Sequence, residues 1–359
     1  MTQLENNVEI LSSFEQKPGL KDIWNGLLAE TAKPIIFQRY EWVAAWWESF
    51  GRPKLYIVLI KEDGDYIGIA PLMIDPNPVW LGKRLKFIAA DDCDYFDFII
   101  KKGREETFLR FFTQFLKTVD FLEVTLRYLR GDSNVLLLWN KLTFSGCRVK
   151  VKEVDKAPYI GLSEGVENVK KKMSINNRRC ENRIKKDNDI LIKRCDSSEE
   201  LDTYLELFFN MHKERWQEKN ENNIFANKKW HDFLSKASRI FLEERIIRLY
   251  CLVCNEKPIA FVFGLKNYDS FLWYLSAFDT RFARYSPGRL LIAHLLDELP
   301  GEGMVNFDFG RGGEGHKFRW TESYKRLFTI SLYPEDNTKM AFAVGIRNNL
   351  DRLRSFLRL

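Results

Sequence analysis

The strongest local signal in the sequence begins with Asp279-Thr-Arg-Phe-Ala-Arg-Tyr-Ser-Pro-Gly-Arg-Leu-Leu-Ile292. It predicts a loop that leads into a helix over 287–299, because Ser286 suits an N-cap and Pro287 the first helical turn. Gly288 would let a ligand approach the backbone closely. The unpaired N–H groups and the positive dipole end of such a helix favour an anion. A capped helix start without a ligand explains the segment equally well.

A glycine-rich stretch follows, Val305-Asn-Phe-Asp-Phe-Gly-Arg-Gly-Gly-Glu-Gly-His-Lys-Phe-Arg-Trp320. It matches G-x-G-x-x-G, but only 44 residues follow Gly315 in the chain, too few for the rest of a dinucleotide-binding half. We interpret the stretch as a flexible loop that brings Arg311, Lys317 and Arg319 to the carboxyl end of a strand. A solvated basic loop is the alternative.

The two halves of the chain show the same succession of patterns: helices, a run of antiparallel strands joined by turns, and a helix packed on the sheet. This succession predicts the α/β (α+β) class with two domains, 1–160 and 161–359. Helices are predicted over 40–50, 105–119, 134–142, 174–186, 199–216, 227–236, 287–299 and 339–359. Strands are predicted over 55–61, 66–74, 85–90, 95–100, 121–128, 148–154, 245–254, 258–266, 270–278, 305–308 and 325–333.

Composition agrees with a folded protein of about two domains: 359 residues, 45% hydrophobic and 30% charged. Disordered and collagen-like chains are excluded. The net charge of +6 does not by itself predict nucleic-acid binding, but eight of the seventeen residues over 170–186 are basic and only Glu181 is acidic. This run would steer phosphate-bearing substrates, such as nucleotide sugars or lipid pyrophosphates, or RNA. A solvated helix face explains it equally well.

Metal, disulfide and membrane-spanning classes are not predicted. The six cysteines and four histidines lack the spacing of metal ligands, and no apolar run approaches the roughly 18 residues of a membrane span. The N-terminus does not resemble a signal peptide. We expect a cytoplasmic protein. The apolar stripe of the predicted helix 339–359 would pack on its own domain or lie on the inner face of the membrane.

Short motifs along most of the chain resemble the tandem GNAT-fold acyltransferases, which include cellulose-biosynthesis-type acetyltransferases and, more distantly, Fem-type peptidyltransferases. The motifs are Phe37 with Glu41-Trp42 and Trp46; Gly68-Ile-Ala-Pro-Leu72; Asp94-Tyr-Phe-Asp97; Ser174-x-x-x-Arg178-Arg179; His212-x-x-Arg215-Trp216; Ser286-Pro-Gly288; Asp308-Phe-Gly-Arg-Gly312; and Lys317 with Trp320. The resemblance implies two GNAT-like domains, each with a mostly antiparallel mixed sheet flanked by helices. It also implies an acyl group delivered by coenzyme A, or by aminoacyl-tRNA in Fem-type members.

One departure concerns the GNAT pyrophosphate loop, R/Q-x-x-G-x-G/A. Arg284 stands four residues before Gly288 rather than three, and Arg289 and Leu290 occupy the positions where a second small residue is expected. The resemblance therefore implies that the pyrophosphate lies on the helix start formed by Ser286, Gly288, Arg289 and Leu290, in the second domain.

Acyl transfer to an amine needs a proton acceptor and a donor for the developing oxyanion. Asp308 would take or relay the proton, or else cap the glycine loop. Lys317 would hold a negatively charged acceptor or stabilise the transition state. His212 lies on an apolar helix face, which suits a core residue, and the family match raises a catalytic role to equal weight. The predicted substrate-binding residues are Arg311, Arg319, Trp320, Tyr274, Asp279 and Arg179.

The sequence thus predicts an N-acyltransferase without a metal that moves an acyl group, most simply acetyl from acetyl-CoA, to an amine. The acceptor would be a sugar or cell-surface polysaccharide precursor that is a small molecule or is linked to a lipid or a nucleotide. There are two alternatives. One is a Fem-type transferase that uses charged tRNA, which is the only hypothesis with nucleic acid as the donor. The other is a non-catalytic GNAT-like module. Such a module would bind nucleic acid or membrane through its basic helices.

Overall fold

The computed structural model describes residues 7–51, 54–75, 83–119, 121–139, 147–163, 166–186, 188–218 and 224–334. The predicted helix 339–359 lies outside these residues. The α-helices are α1 Leu20–Ala29, α2 Tyr40–Phe50, α3 Glu105–Thr118, α4 Asn134–Trp139, α5 Val166–Lys185, α6 Ser198–Glu218, α7 Lys228–Glu243 and α8 Pro287–Glu298. The strands are β1 Val8–Leu11, β2 Leu55–Glu62, β3 Asp65–Ile74, β4 Arg84–Phe87, β5 Ile99–Ile100, β6 Glu123–Arg130, β7 Cys147–Gly161, β8 Ile190–Arg194, β9 Ile247–Cys254, β10 Lys257–Asn267, β11 Ser270–Phe278, β12 Asn306–Asp308 and β13 Tyr324–Pro334.

The chain forms two compact units that interleave along the sequence. The first unit consists of residues 1–34, 52–154 and 327–359, and the second of 35–51 and 155–326. Strand β7 ends at Gly161, next to the division predicted between residues 160 and 161, whereas the two compact units divide within this strand, between residues 154 and 155. The division at residue 160 stays a prediction; by compactness alone, helix α2 belongs with the second half of the chain.

The sheet of the first unit has the order β1-β2-β3-β4-β6-β13, with β5 on β3. All of its pairs are antiparallel except β4 with β6. Packed phenylalanine rings contribute to its core. The ring centroids of Phe98, directly before β5, and Phe112 of α3 lie 4.8 Å apart. Gly68 allows this packing, because a Cβ there would lie 2.6 Å from the ring of Phe108 and 2.7 Å from the carbonyl oxygen of Ile99.

The sheet of the second unit repeats this plan in the order β8-β9-β10-β11-β12-β7. Again one inner pair, β11 with β12, is parallel and its neighbours are antiparallel. In both sheets the last strand comes from the other half of the sequence: β13 completes the first sheet and β7 the second. The predicted α/β class, with mostly antiparallel mixed sheets flanked by helices, is confirmed.

Helix α8 packs on the second sheet through an apolar face. Leu291 and Leu295 are fully buried, together with Phe307 of β12 and Tyr250 of β9. At about 25 cal/mol per Å² of apolar surface, each such leucine stabilises the fold by roughly 1.5–3 kcal/mol relative to an exposed side chain. This packing fixes the position of the helix start relative to the sheet.

Strands β11 and β12 separate soon after they meet. They pair only from Ser270 with Asn306 to Leu272 with Asp308, whereas β11 stays paired with β10 on its other side as far as Phe278. Within the described residues, no strand covers the β12-facing edge of β11 over 273–278. A wedge therefore opens in the sheet at this point, and the start of α8 lies at it.

Candidate functional site

A cavity of about 360 Å³ occupies this wedge in the second unit. Trp273, Ser276 and Phe278 of β11 form one wall. The start of α8, with Ser286, Gly288 and Arg289, forms the second wall. The third wall is the glycine-rich loop after β12, with Phe309, His316, Lys317, Arg319 and Trp320, and Arg215 of α6 also lines the cavity. The two stretches that the sequence singled out thus meet in one site.

The start of α8 presents unused hydrogen-bonding groups to the cavity. Ser286 adopts the left-handed conformation, with φ 53° and ψ 57°, and its hydroxyl makes no capping bond to the helix. The N–H of Gly288 donates to no acceptor within the described residues, and a Cβ on this residue would meet no atom within 4 Å. The helix start therefore faces open space with free donors, as an anion site requires.

Arg289 adds a cation to this helix start. A positive charge in the first turn opposes the helix dipole, so its position is unfavourable without an anion nearby. Its Nη1 is buried and has no hydrogen-bond partner within the described residues. A buried donor without a partner costs about 1–3 kcal/mol, more when it is charged. A bound anion would remove both costs.

The glycine loop is tied to strand β7 rather than loose. The amides of Phe309 and Gly312 donate to the carbonyls of Pro158 and Lys156, both at 2.9 Å, and the Thr321 hydroxyl donates to that of Tyr159 at 2.7 Å. These long-range hydrogen bonds hold both ends of the loop, and the flexibility predicted for it stays a prediction.

The glycines have a conformational reason. Gly310 and Gly312 have φ values of 70° and 116°, which side chains disfavour, and a Cβ on Gly312 would lie 2.5 Å from the Glu314 carboxylate. The match to G-x-G-x-x-G therefore reflects a tight turn rather than a dinucleotide fingerprint.

Residues 171–326 match the sequence profile described as Acetyltransferase (GNAT) domain, a span that covers nearly all of the second unit from α5 onward. Residues 171–326 thus carry a GNAT acetyltransferase domain. Among solved structures it is similar to FemX, with TM-score 0.61 and 9% identity over 88% of this chain and 96% of FemX. No curated protein matches its sequence.

Two further similar structures support the fold assignment. L-PGS from Bacillus licheniformis has TM-score 0.55 and 13% identity, covering 90% of this chain and 94% of its own. The C-terminal domain of a putative lysylphosphatidylglycerol synthetase from Agrobacterium fabrum has TM-score 0.54 and 10% identity, covering 89% and 95%. The predicted resemblance to GNAT-fold and Fem-type proteins is confirmed, and the chain has a GNAT-type acyltransferase fold.

The GNAT site brings together part of the predicted set. Ser286, Gly288, Arg289, Lys317, Arg319 and Trp320 all line the cavity. Lys317 is buried, and its Nζ donates to the Arg311 carbonyl at 2.7 Å and lies 2.9 Å from Glu314. Burial would raise the pKa of Glu314, but the Lys317 ammonium outweighs burial and holds it below the usual value.

Asp308 is a buried loop anchor. Its carboxylate accepts from the Gly310 amide and from Lys325 Nζ, both at 2.9 Å. These hydrogen bonds agree with the loop-capping role, one of the two alternatives given for Asp308. The proton-relay role stays a prediction. His212 is buried on the apolar face of α6, with its ring 4.7 Å from that of Phe225, and does not line the cavity.

The remaining predicted residues lie outside the cavity lining. Leu290 is buried in the core below the helix start. Tyr274 packs 5.2 Å from Phe37, and Asp279 caps the short 3-10 helix 280–285 while pairing with Arg281 at 2.6 Å. Arg281 holds the pKa of Asp279 below its usual value. Arg179 is exposed on α5, and Arg311 touches the site through its carbonyl.

His316 is a functional candidate that the sequence analysis did not select. It lines the cavity beside Lys317, and its pKa is lowered by partial burial and by the nearby cations Lys317, Arg215 and Arg319, against the opposing effect of Glu314. A histidine that is neutral at pH 7 can accept a proton. Its position between Gly315 and Lys317, in a loop already assigned to the site, is the signal that could have identified it.

The free cysteines of the described residues do not line this cavity. Cys251 and Cys254 are free and buried, and burial raises the pKa of the Cys251 thiol to about 12. No group of three or more potential ligands among the described His, Cys, Asp and Glu residues could hold a metal. No described helix has the length and hydropathy to cross a membrane.

Proposed function

We propose that this chain is an N-acyltransferase that moves an acyl group, most simply acetyl, from acyl-CoA to an amine of a sugar or cell-surface polysaccharide precursor. The observation that carries the proposal is the start of α8, where the free Gly288 amide and the Arg289 guanidinium, whose Nη1 has no hydrogen-bond partner within the described residues, line one cavity. Both groups match the pyrophosphate of coenzyme A, which needs N–H donors and positive charge.

The open edge of β11 suits the next part of the donor. The pantetheine arm of coenzyme A is an extended chain with two amide groups, and an uncovered strand edge offers N–H and C=O groups with which such amides can pair. The edge over 273–278 leads from the wedge toward the start of α8. A donor that lies along it would bring its thioester to the side chains of the glycine loop.

The reaction then needs few groups. The acceptor amine attacks the thioester carbonyl, a C–N bond forms, and the C–S bond breaks to release the thiolate of coenzyme A. His316 takes the proton that the nitrogen loses and can return it to the leaving sulfur. Lys317, fixed by Arg311 and Glu314, supplies positive charge to the oxyanion.

The acceptor is proposed to carry negative charge. Arg215, Lys317 and Arg319 line the same cavity, and Arg215 lies over the Phe278 ring at 4.2 Å from its centroid. A phosphate or pyrophosphate on a nucleotide- or lipid-linked amino sugar would complement these cations. An aromatic ring beside an arginine also suits the flat apolar face of a sugar.

Thermal unfolding tests the donor. A ligand that binds only the folded protein at 100 times its Kd adds about 2.7 kcal/mol to the free energy of unfolding. Acetyl-CoA and free coenzyme A should therefore raise the melting temperature by several degrees, whereas uncharged or charged tRNA should not. The proposal fails if saturating acetyl-CoA and longer acyl-CoAs leave the melting temperature unchanged, and stabilisation by charged tRNA alone would assign the Fem-type donor instead.

The acceptor is tested by thiol release. Acetyl-CoA is incubated with the protein and a panel of amines: free amino sugars, nucleotide-linked amino sugars and simple alkylamines. Release of coenzyme A should be fastest with a phosphate-bearing amino sugar, and Arg319→Gln should raise KM for that acceptor more than for its free sugar. Equal rates with all amines would contradict the proposed acceptor class while leaving the donor assignment in place.

A further inference from the structure

An isoleucine lies exposed in the middle of the most basic helix. The side chain of Ile175 on α5 is 64% exposed, more than any other large apolar side chain in the described residues. On a helix, positions three and four residues away share the same face. Around Ile175 these positions hold Lys171, Lys172, Arg178 and Arg179, and all four are exposed. We name these five residues the Ile175 face.

The Ile175 face is not needed to hold α5 in place. The opposite side of the helix carries the buried residues Val166, Met173 and Ile184, which belong to the hydrophobic core of the second unit. An apolar side chain that is left in water gains nothing from folding, and a ring of like charges around it raises the free energy of the folded state slightly. Folding alone therefore does not account for this arrangement.

The charges on the helix are only partly neutralised. Lys185 pairs with Glu181 at 2.6 Å and Lys170 with Asp297 at 2.9 Å. Lys172 lies 3.9 Å from Glu322, and both side chains are largely exposed. Arg178 and Arg179 have no acidic partner within the described residues. Exposed pairs of this kind are worth little, so the face keeps most of its positive charge.

We propose that the Ile175 face docks the protein on an anionic lipid surface. Arginine and lysine would bind lipid phosphates, and Ile175 would enter the boundary between headgroups and acyl chains, as basic amphipathic helices do at membranes. Charge alone would equally suit RNA, but proteins hold single-stranded RNA by stacking bases on aromatic or arginine planes, for which an aliphatic side chain is a poor partner. The exposed isoleucine decides in favour of lipid.

Docking by this face would hold the cavity close to the lipid surface. Helix α5 packs against α8, and Arg183 Nη1 donates to the carbonyl of Arg284 at 3.1 Å, two residues before Ser286. The same helix thus carries the docking face and supports the loop that leads into the cavity. The proposal does not depend on the identity of the acyl donor, because no residue of the Ile175 face lines the cavity.

Vesicle sedimentation of the full chain tests the proposal. Binding to vesicles of phosphatidylcholine with phosphatidylglycerol should exceed binding to phosphatidylcholine alone, and salt should weaken it. Each cation near an anionic surface contributes about fivefold to partitioning, so Arg178→Glu with Arg179→Glu should weaken binding at least ~25-fold. Ile175→Ser should weaken it about tenfold without changing the net charge.

Matched variants elsewhere in the second unit serve as controls. Lys228→Glu with Lys257→Glu changes the net charge by the same amount at two other exposed lysines, and Leu191→Ser replaces another exposed aliphatic side chain, 55% exposed on β8. These controls should bind within about twofold of the unaltered chain. Circular dichroism and the melting temperature establish that each variant is folded.

Three results would overturn the proposal: no preference for anionic vesicles, an equal loss in the Lys228/Lys257 control, or unchanged binding by Ile175→Ser. A fourth would reassign the face: tRNA binding that requires Arg178 and Arg179 but not Ile175, in a protein that does not bind vesicles. The thermal response to acetyl-CoA is measured in parallel. It should stay intact in every Ile175-face variant, so failure of lipid docking and failure of the donor assignment are distinguishable.

Discussion

The guanidinium of Arg289 lies over the indole of Trp320, 5.8 Å from the ring centroid. The arginine belongs to the start of α8 and the buried tryptophan to the glycine loop, so the contact joins two walls of the cavity. A ring face attracts a cation but accepts no strong hydrogen bond, which leaves the N–H donors of the arginine available. The contact therefore orients Arg289 while leaving its Nη1 without a partner.

Arg289→Met should separate ligand binding from folding. Because the arginine holds a buried, unpartnered donor, its removal should leave the free energy of unfolding unchanged or higher in the ligand-free protein. The affinity for acetyl-CoA should fall about 10- to 100-fold, the range expected for one lost charge-assisted hydrogen bond. Calorimetric titration and thermal unfolding measure the two effects. Arg239→Met, which removes an exposed arginine paired with Asp202, should change neither.

Gly288→Val should block the site without harming the fold. A Cβ at this position would meet no protein atom within 4 Å, and the valine methyl groups would occupy space beside the free amide. We expect a melting temperature within a few degrees of the unaltered protein and loss of its rise with acetyl-CoA. Gly26→Val on α1, where a Cβ also meets nothing within 4 Å, is the control and should keep the full response. Retained stabilisation by acetyl-CoA in Gly288→Val would contradict the site.

His316→Gln should lower kcat about 10²- to 10⁴-fold, the range for losing a positioned proton acceptor. In the unaltered protein the pKa of His316 lies below its ordinary value, so the histidine is neutral at pH 7 and its activity should fall only on acidification. The variant should lose this acidic limb in a pH profile of kcat/KM. His294→Gln, outside the cavity on α8, should keep it. An unchanged profile in His316→Gln would eliminate the histidine as the base.

Asp308→Asn distinguishes the two roles offered for this residue. The amide oxygen can still accept from the Gly310 N–H, but the charge that pairs with Lys325 is lost. If Asp308 is a loop anchor, we expect a loss of about 1–3 kcal/mol in the free energy of unfolding. The kcat at a temperature where the variant is folded should then fall less than tenfold. A fall of a hundredfold or more in a stable variant would restore the proton-relay role.

Asp97→Asn in the first unit should stabilise the protein at neutral pH. Asp97 accepts from the Ser133 hydroxyl at 2.5 Å and the Phe98 amide at 2.8 Å, and burial raises its pKa from 3.8 to about 6. The folded state then binds this proton more tightly than the unfolded state, so stability falls as the pH rises from about 4 through 6. The variant should not show this loss, so its free energy of unfolding at pH 7 should exceed that of the unaltered protein by up to about 3 kcal/mol. Urea unfolding at pH 4, 5, 6 and 7 measures the difference, which should vanish near pH 4.

Much of the fold follows from local patterns. Helix α2 and strand β11 are predicted at their observed bounds, because aromatic-rich periodicity and turn residues delimit them. Helix α1 was not predicted: its N-cap is Gly19 in the left-handed conformation, without a capping side chain. The exchange of β7 and β13 could not be predicted either. Strands pair through backbone groups, so the sequence of a strand does not state which sheet it completes.

The site residues can be predicted from the sequence where the residue type and its local pattern indicate the chemistry. Ser286, Gly288 and Arg289 lie at a recognisable helix start, and Lys317, Arg319 and Trp320 in a glycine loop, and the structure brings these six together. The sequence could not tell the anchor from the acid–base group in that loop. Asp308 and His316 are eight positions apart, and only the folded loop turns one inward to Lys325 and the other to the cavity.

The wedge between β11 and β12 has a consequence for how this protein changes over evolutionary time. The open edge over 273–278 presents peptide groups, which every residue type supplies alike. Substitutions along it can accumulate without altering what the edge offers, provided the strand persists. Such a strand edge produces almost no sequence motif, and it can persist while nearly all the side chains around it are substituted. Identity as low as the 9% shared with FemX is therefore no measure of how much of this strand edge a chain retains.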